Sequence, residues 1–545
     1  MKKIIDYLRK IPLYWCLLWL FFYCSFGALG FPILTQTFGI FRPVVILTVQ
    51  AALLATTFYL LRPNRFNKWF LSLIILYFLI SWIYLPQAIM YGPMSMGIIA
   101  SLFETNSTET LEYLQSFPWY VYLIWLSYLF FFIFLLKINN KKPYHRKNLA
   151  WLFFCIALTF TWAIKNPLSF WVKKEYRNET YLYTYLISTT SFRPFQFIIS
   201  TVYHIQLYLE EKRIMDLAFN HPPSWQILSY RPKYQNYILI IGESMRKDYM
   251  SLYGYPFNNT TFLEKTNGII FQNYVAAAPN TQVSLSRTLY RTNKKGDIIY
   301  TDNIISLAKQ AKIKIYWLSN QGRTSKHDTA ASRLAKHADE MFFTQKMDFK
   351  EKTFDIALLP ELEKILSVTE KQPRLIVLHL MGSHNLFCDR LPDKSNMPKL
   401  INENMSCYLQ SINQTDKLIS DVNDMLRQVN QSYTVIYFSD HGLSKHEKFT
   451  DGMWANNKYK QNYQIPFIRF DSDSTNRTII HSPKSAFDFI NGFAEWLGIE
   501  EKTLSQQPSF FEDKPNGKIR VFNWHEMVDF DSLEDDPPLP PTPYK

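Results

Sequence analysis

Ile238-Leu239-Ile240-Ile241-Gly242-Glu243-Ser244 runs four aliphatic residues straight into a glycine, a carboxylate and a hydroxyl. A short apolar run rich in β-branched residues and closed by a turn residue reads as a buried strand. Far downstream the pattern returns as Ile436-Tyr437-Phe438-Ser439-Asp440-His441-Gly442. Strand candidates are 236–241, 313–318, 374–380, 433–439 and 465–470. Between and around them, 303–311, 328–337, 355–367, 408–428 and 484–496 carry helical periodicity. Continuous apolar strands separated by helices predict an α/β fold with a mostly parallel sheet, covered on both faces. In such folds the site gathers at the C-terminal ends of the strands. Glu243, His384, Asp440 and His441 each fall just past such an end.

One Glu, one Asp and one His make a donor set that zinc accepts, and a catalytic zinc keeps its fourth position open. Thr281, in Pro279-Asn280-Thr281, lies in a segment that reads as a loop entering a helix. A threonine hydroxyl is a poor nucleophile until a metal lowers its effective pKa. The combination points to a zinc site with a threonine nucleophile and to transfer of a phosphoryl group. Taken singly, Glu243 could cap a helix and His441 could be a satisfied core histidine. The four residues together favour the metal site.

The first 165 residues belong to another solvent. Charge-free stretches run over 11–41, 43–61, 69–103, 118–136 and 148–164. A span of the hydrocarbon core takes roughly 17–25 residues, so a transmembrane domain of five helices is predicted over 1–165. Lys2, Lys3, Arg9 and Lys10 precede the first stretch. Arg62, Arg65 and Lys68 follow the second, and Lys137, Lys141, Lys142, Arg146 and Lys147 follow the fourth. Residues 91–117 hold no Lys or Arg. Positive loops stay in the cytoplasm. The N-terminus is therefore expected inside, and five spans place the large C-terminal part outside. The net charge of +13 does not mark a nucleic-acid binder, since no basic stripe or stacking motif accompanies it. Cys388 and Cys407 are the two cysteines outside the spans. An external compartment permits a disulfide between them, two free buried thiols being the alternative. Residues 166–232 mix aromatic and basic residues, as helices at a lipid interface do. Residues 233–530 read as the catalytic domain. The tail, 531–545, ends Pro-Pro-Leu-Pro-Pro-Thr-Pro before Tyr544-Lys545 and is expected to be extended and mobile.

The chain resembles the phosphoethanolamine transferases of the alkaline phosphatase/sulfatase superfamily, the group that includes lipid A modifiers and colistin-resistance enzymes. The resemblance rests on Ile241-Gly242-Glu243-Ser244 with Arg246, Leu252-Tyr253-Gly254-Tyr255, Thr281, His379-Leu380-Met381-Gly382-Ser383-His384 and Ser439-Asp440-His441-Gly442. It implies an N-terminal five-helix membrane domain followed by an alkaline-phosphatase-like domain. It implies Thr281 as the residue that carries phosphoethanolamine, with Glu243, Asp440, His441 and Thr281 holding Zn2+. His384 would sit near the substrate phosphate. Asn320 and Lys326 fall where the family places polar substrate contacts. His446 and Asp451 lie where a second substrate histidine is usual. The implied donor is phosphatidylethanolamine and the implied acceptor lipopolysaccharide, both met among membrane lipids. Leu443 departs from the Asp-His-Gly-Glu of lipid A modifiers, and only one external disulfide can form. These departures favour the branch that decorates core sugars. Thr281-Gln282-Val283-Ser284-Leu285 lacks the Cys/Ser-x-Pro-x-Arg signature of a sulfatase. The alternatives are a phosphoglycerol transferase acting on a periplasmic glycan and a non-catalytic, membrane-tethered binding protein. Oligomeric state is not legible in the sequence.

Overall fold

A computed structural model describes residues 13–38, 41–61, 67–91, 117–138, 150–161, 193–218, 221–293, 295–321, 330–344, 353–395, 397–446, 449–515, 517–524 and 526–544, with isolated positions between 94 and 114 and at 168. The chain divides into two compact units, Met1–Ile99 with Phe117–Leu209, and Ala100–Ser116 with Glu210–Lys545.

The first unit contains helices α1 (Leu13–Phe38), α2 (Phe41–Leu61), α3 (Asn67–Tyr91) and α4 (Trp119–Lys137). Aromatic rings fill the space between them: Phe78 stacks on Phe132 with centroids 3.9 Å apart, and Phe21 packs on Phe132 and Tyr128. The outward faces are also apolar, with Trp69, Leu76, Trp119 and Phe130 exposed. Two segments, Leu71–Met90 and Trp119–Lys137, are long and apolar enough to cross a membrane. Leu13–Ser25, Val44–Leu60 and Ala150–Thr161 are shorter apolar helices. Each of the five expected spans thus meets an apolar helix, but only two are both long and apolar enough to span among the described residues. Helix α5 covers Arg193–Ala218. Most of the expected interfacial segment before it, 169–192, lies outside the described residues.

The second unit is built on one sheet. Its strands are β1 (Asn236–Gly242), β2 (Gly268–Phe271), β3 (Lys314–Ser319), β4 (Glu340–Phe343), β5 (Arg374–His379), β6 (Tyr433–Ser439), β7 (Phe467–Asp471) and β8 (Arg477–Ile480). Their order is β8-β2-β7-β6-β1-β5-β3-β4. All pairings are parallel except those β7 makes with β6 and β2. The sheet is mixed and mostly parallel, as its unbroken apolar strands require. β1, β5 and β6 are buried along their whole length. One face packs on α7 (Ile304–Gln310), α8 (Ala330–Lys336) and α11 (Phe489–Leu497) through Trp317, Leu334 and Phe493. The other packs on α9 (Leu359–Ser367) and the long α10 (Glu403–Gln428) through Leu362, Tyr408 and Ile419. A disulfide joins Cys388 to Cys407 of α10.

The tail is not free. Five of its residues from 537 to 543 are prolines, leaving N–H groups at Asp536, Leu539, Thr542 and Tyr544. Each N–H is used: on Gln461 Oε1, Tyr249 Oη, the Pro540 carbonyl and the Lys399 carbonyl. The body reciprocates, with the Ile401 N–H on the Thr542 carbonyl at 2.7 Å and the Tyr255 hydroxyl on that of Leu539 at 2.9 Å. Its proline-rich composition made the segment look mobile. Prolines restrict its φ angles in advance, so fixing it forfeits little conformational entropy.

Candidate active site

The site lies where β1, β5 and β6 end. β6 pairs with β1 so that Phe438 faces Ile241 and Ser439 faces Gly242. The next residue on β1 is therefore Glu243 and the next on β6 is Asp440, side by side. Ser244 then turns with φ 58°, a left-handed conformation that costs a serine energy. Its contacts hold it there: the Ser244 N–H donates to Asp440 Oδ1 at 3.0 Å and its hydroxyl to Glu243 Oε1 at 2.6 Å. The Met245 N–H donates to Ser439 Oγ at 2.9 Å, cross-linking the two strand ends once more. From β5, Gly382 presses against this turn with φ 47°. A Cβ there would stand 2.9 Å from the Glu243 nitrogen, so the close approach requires glycine.

Glu243, Asp440 and His441 are all buried, and one donor atom from each lies within 4.8 Å of the others. His441 Nδ1 is 2.7 Å from the Gly442 carbonyl. A carbonyl only accepts, so Nδ1 carries the proton and, in the neutral ring, Nε2 keeps its lone pair. Nε2 sits 3.3 Å from Glu243 Oε1 and 3.5 Å from Asp440 Oδ2. Asp440 Oδ1 is satisfied by two backbone N–H groups, whereas Oδ2 is buried without a hydrogen-bond partner. An orphaned anionic oxygen beside a second carboxylate and an available imidazole nitrogen fits a dication.

The electrostatics agree. Burial raises the Asp440 carboxyl, and the Glu243 charge raises it further. Burial also works against the Glu243 charge, but hydrogen bonding to His441 and the nearby His441 and His384 hold it well below the usual carboxylate range. Burial would neutralise His441, yet the two carboxylates and the Gly442 carbonyl raise it to about 9. Without a metal, the imidazole must supply the positive charge the carboxylates demand.

Thr281 is the first residue of α6 (Thr281–Thr288), with Asn280 as its N-cap. Its hydroxyl donates to Glu243 Oε2 at 2.9 Å and lies 3.3 Å from His441 Nε2. A helix N-terminus presents unpaired N–H groups and a positive dipole end, which suit phosphoryl oxygens. Ser284 of the same helix donates to the Asp440 carbonyl at 2.7 Å, locking helix to loop. His384 follows β5 in a turn closed by its N–H on the Met381 carbonyl, and its Nδ1 is buried without a partner.

Asn320 is placed differently from a substrate contact. It is fully buried, donating to Asp355 Oδ1 at 2.8 Å and accepting from the Thr344 hydroxyl at 2.6 Å. Asp355 in turn receives the N–H groups of Met381 and Gly382. Asn320 thus braces the turn that leads to His384. The residue that reaches the site is its neighbour Gln321, whose amide donates to Glu243 Oε2 at 3.1 Å and the Leu380 carbonyl at 2.9 Å. A single polar residue after a strand carries no signal in sequence. Trp524 was equally invisible: its indole N–H donates to Asn280 Oδ1 at 3.2 Å, from a backbone with φ 75°. Lys326 lies outside the described residues. His446 and Asp451 fall on the hairpin Ser444–His446 and Phe449–Trp454, but their side chains lie outside the description.

Strand order, the helix that begins at Thr281 and the donor cluster are those of a sulfatase-type domain, and the sulfatase family model matches residues 235–499. The chain belongs to the phosphoethanolamine transferases of that family. It is 34% identical over 466 residues to the phosphoethanolamine transferase OpgE of Escherichia coli K12, an alignment covering 83% of this chain and 85% of the relative. Among solved structures, the integral membrane lipooligosaccharide phosphoethanolamine transferase A of Neisseria meningitidis matches with TM-score 0.61 at 16% identity, over 89% of this chain and 95% of that one. The C-terminal periplasmic domain of Escherichia coli EptC, in complex with Zn, matches with TM-score 0.51 at 22% identity, over 57% of this chain and 97% of that domain. At those identities the likeness establishes the fold.

Proposed function

We propose that this chain is a zinc-dependent phosphoethanolamine transferase of the bacterial inner membrane. It takes phosphoethanolamine from phosphatidylethanolamine and passes it to lipopolysaccharide or a related glycan. The membrane unit crosses five times with the N-terminus in the cytoplasm, and the catalytic unit faces the periplasm. The observation that carries the reading is the position of the Thr281 hydroxyl, 2.9 Å from Glu243 Oε2 and 3.3 Å from His441 Nε2 at a helix N-terminus.

Glu243, Asp440, His441 and Thr281 would hold the zinc, which when bound lowers the pKa of a coordinated hydroxyl and polarises a phosphoryl oxygen. The Thr281 oxygen attacks phosphorus, its proton leaving toward Glu243 Oε2, to which the hydroxyl already donates. The bond from phosphorus to the diacylglycerol oxygen breaks, and that oxygen takes a proton from His384. The acceptor hydroxyl then attacks phosphorus and gives its proton to His384, while the bond from phosphorus to the Thr281 oxygen breaks and that oxygen regains its proton from Glu243. The N–H groups of α6 stabilise the charge gathering on the phosphoryl oxygens. Lys326, His446 and Asp451 are proposed to meet polar groups of donor and acceptor. A membrane-borne donor and acceptor account for the N-terminal anchor.

The test is to trap the threonine adduct. The full chain is incubated with phosphatidylethanolamine or phosphatidylglycerol and no acceptor, and its peptides are weighed. Phosphoethanolamine on Thr281 from the first lipid alone is expected, and Thr281→Ala abolishes both adduct and transfer while zinc content stays near wild type. A phosphoglycerol adduct would replace the donor, and full transfer by Thr281→Ala would remove the nucleophile. Mass analysis of lipopolysaccharide from cells with and without the chain locates the acceptor.

A further inference from the structure

The Glu243 loop and the Asp440-His441 loop are joined from an unexpected quarter. Arg246, three residues past Glu243, is completely buried. It forms a fork to Asp248 at 2.8 and 2.7 Å. Its other face meets the tail, with Nη1 donating to Asp536 Oδ2 at 2.8 Å and Nη2 to the Asp536 carbonyl at 2.6 Å. The same Asp536 Oδ2 accepts the Lys445 N–H at 2.8 Å, and Lys445 Nζ lies 3.3 Å from Oδ1. Lys445 stands four residues past His441 on the other ligand-bearing loop. Between them, Gly442 rests on the Arg246 stem: a Cβ there would lie 3.3 Å from Arg246 Cγ and 2.1 Å from the Gln461 carbonyl oxygen. Gln461 itself accepts the Asp536 N–H at 2.7 Å.

We infer that the C-terminal tail is a strap for the active site and that Asp536 is a positioning residue, holding the Glu243 and Asp440-His441 loops at the separation that metal binding and transfer need. The inference rests on the reading of that cluster as the metal site. The charges support the assignment. Arg246 and Lys445 face Asp248 and Asp536, two cations against two anions. Neutralising Asp536 leaves a buried guanidinium short of a counter-charge, and removing one partner of a buried pair is strongly unfavourable. The strain would be relieved by movement of the Arg246 stem, and Gly442, next to His441, moves with it. The adjacent Asp535 is mostly exposed and contacts Gln461 Nε2 at 3.2 Å and Lys460 at 3.8 Å. It touches neither ligand-bearing loop and serves as the internal control.

The full chain is prepared as wild type, Asp536→Asn, Asp536→Glu and Asp535→Asn. Zinc affinity is read by chelator competition, and kcat and KM from phosphoethanolamine transfer out of phosphatidylethanolamine. Asp536→Asn is expected to weaken zinc binding and lower kcat by about tenfold each, the lower end for residues that support metal ligands, with KM for the lipid unchanged. Asp536→Glu should recover part of both, and Asp535→Asn should match wild type. A chain ending at Glu534 covers the case of misfolding: the synthetic peptide 535–545 should restore its activity, and the same peptide carrying Asp536→Asn should not. The strap is refuted if Asp536→Asn keeps wild-type zinc affinity and kcat, or if Asp535→Asn loses as much. A wild-type chain that takes up no zinc would instead overturn the metal-site reading, and the strap with it.

Discussion

Replacing Asp440 by asparagine should move stability in opposite directions with and without zinc. In the metal-free protein the Asp440 and Glu243 carboxylates lie within 4.8 Å, a repulsion of about 3 kcal/mol at an effective dielectric of ~20. Burial adds to the cost, and charged His441, 3.5 Å from Oδ2, offsets part of it. The net effect still raises the Asp440 carboxyl, to about 7. A carboxyl raised in the fold leaves stability intact at low pH and removes it as pH climbs through the raised value. At about pH 8 the charged form therefore costs the metal-free fold on the order of 1–3 kcal/mol. Asparagine removes the charge and keeps the shape. Its carbonyl oxygen replaces Oδ1, which accepts from Ser244 and His441 at 3.0 and 2.7 Å. Its NH2 replaces the unpartnered Oδ2 and can donate toward Glu243. In chelator, Asp440→Asn should melt about 2–6 °C above wild type, taking roughly 2 °C per kcal/mol for a domain of this size. In excess zinc the order should reverse, because the variant has lost an anionic ligand and binds at least tenfold more weakly. A variant less stable than wild type in chelator, with zinc affinity intact, would refute the placement of these carboxylates.

Two further outcomes follow from residues outside the ligand set. His379 is buried at the end of β5, and desolvation depresses it to about 4, against a weaker opposing pull from Glu243. The unfolded chain binds this proton near 6.5 and the fold does not, so stability falls between about pH 6.5 and 4, by about 3 kcal/mol in all. Melting curves of His379→Gln should show a shallower decline over that window; an unchanged profile would assign the decline elsewhere. The Cys388–Cys407 bridge closes a separation of 19 residues, worth about 3 kcal/mol in the chain-entropy model. The paired serine variant should melt several degrees lower, and an unshifted melting point would show the bridge to be absent or idle.

How much of this was legible depended on whether a residue's role was written in its neighbours. Glu243, Asp440 and His441 were readable because each ends a strand whose apolar run is unmistakable, and a strand end in a parallel sheet is where sites form. Thr281 was readable through the family motifs around it. Cys388 and Cys407 were readable as the two cysteines outside the apolar helices. Gln321 and Trp524 were not, since each acts through hydrogen bonds to residues distant in the chain. Asn320 was assigned a substrate contact through the family pattern, yet it is buried against Asp355 and Thr344. The tail was misjudged for a related reason. Composition predicts what a segment cannot do for itself, and the partners that fix 536–544 lie on the loops of other elements.

The same register that builds the sheet builds the site. Side chains alternate along a strand, so a slip of one residue between β1 and β6 would turn Glu243 away from Asp440. The parallel pairs from Tyr433–Asn236 to Ser439–Gly242 fix the register that sets them side by side. The two carboxylates repel one another at this distance, and without a metal only the protonated His441 offsets them. What brings them together is the burial of Ile238, Ile240, Val435 and Tyr437 on one face of the sheet and Leu239, Ile241, Ile436 and Phe438 on the other. Each fully buried aliphatic side chain is worth about 1.5–3 kcal/mol, so a few of them outweigh a repulsion of about 3 kcal/mol. The three side chains are held at their separation by the sheet itself. Their charge can be altered, as in Asp440→Asn, at an energy smaller than that burial, and the site can be assayed apart from the fold that carries it.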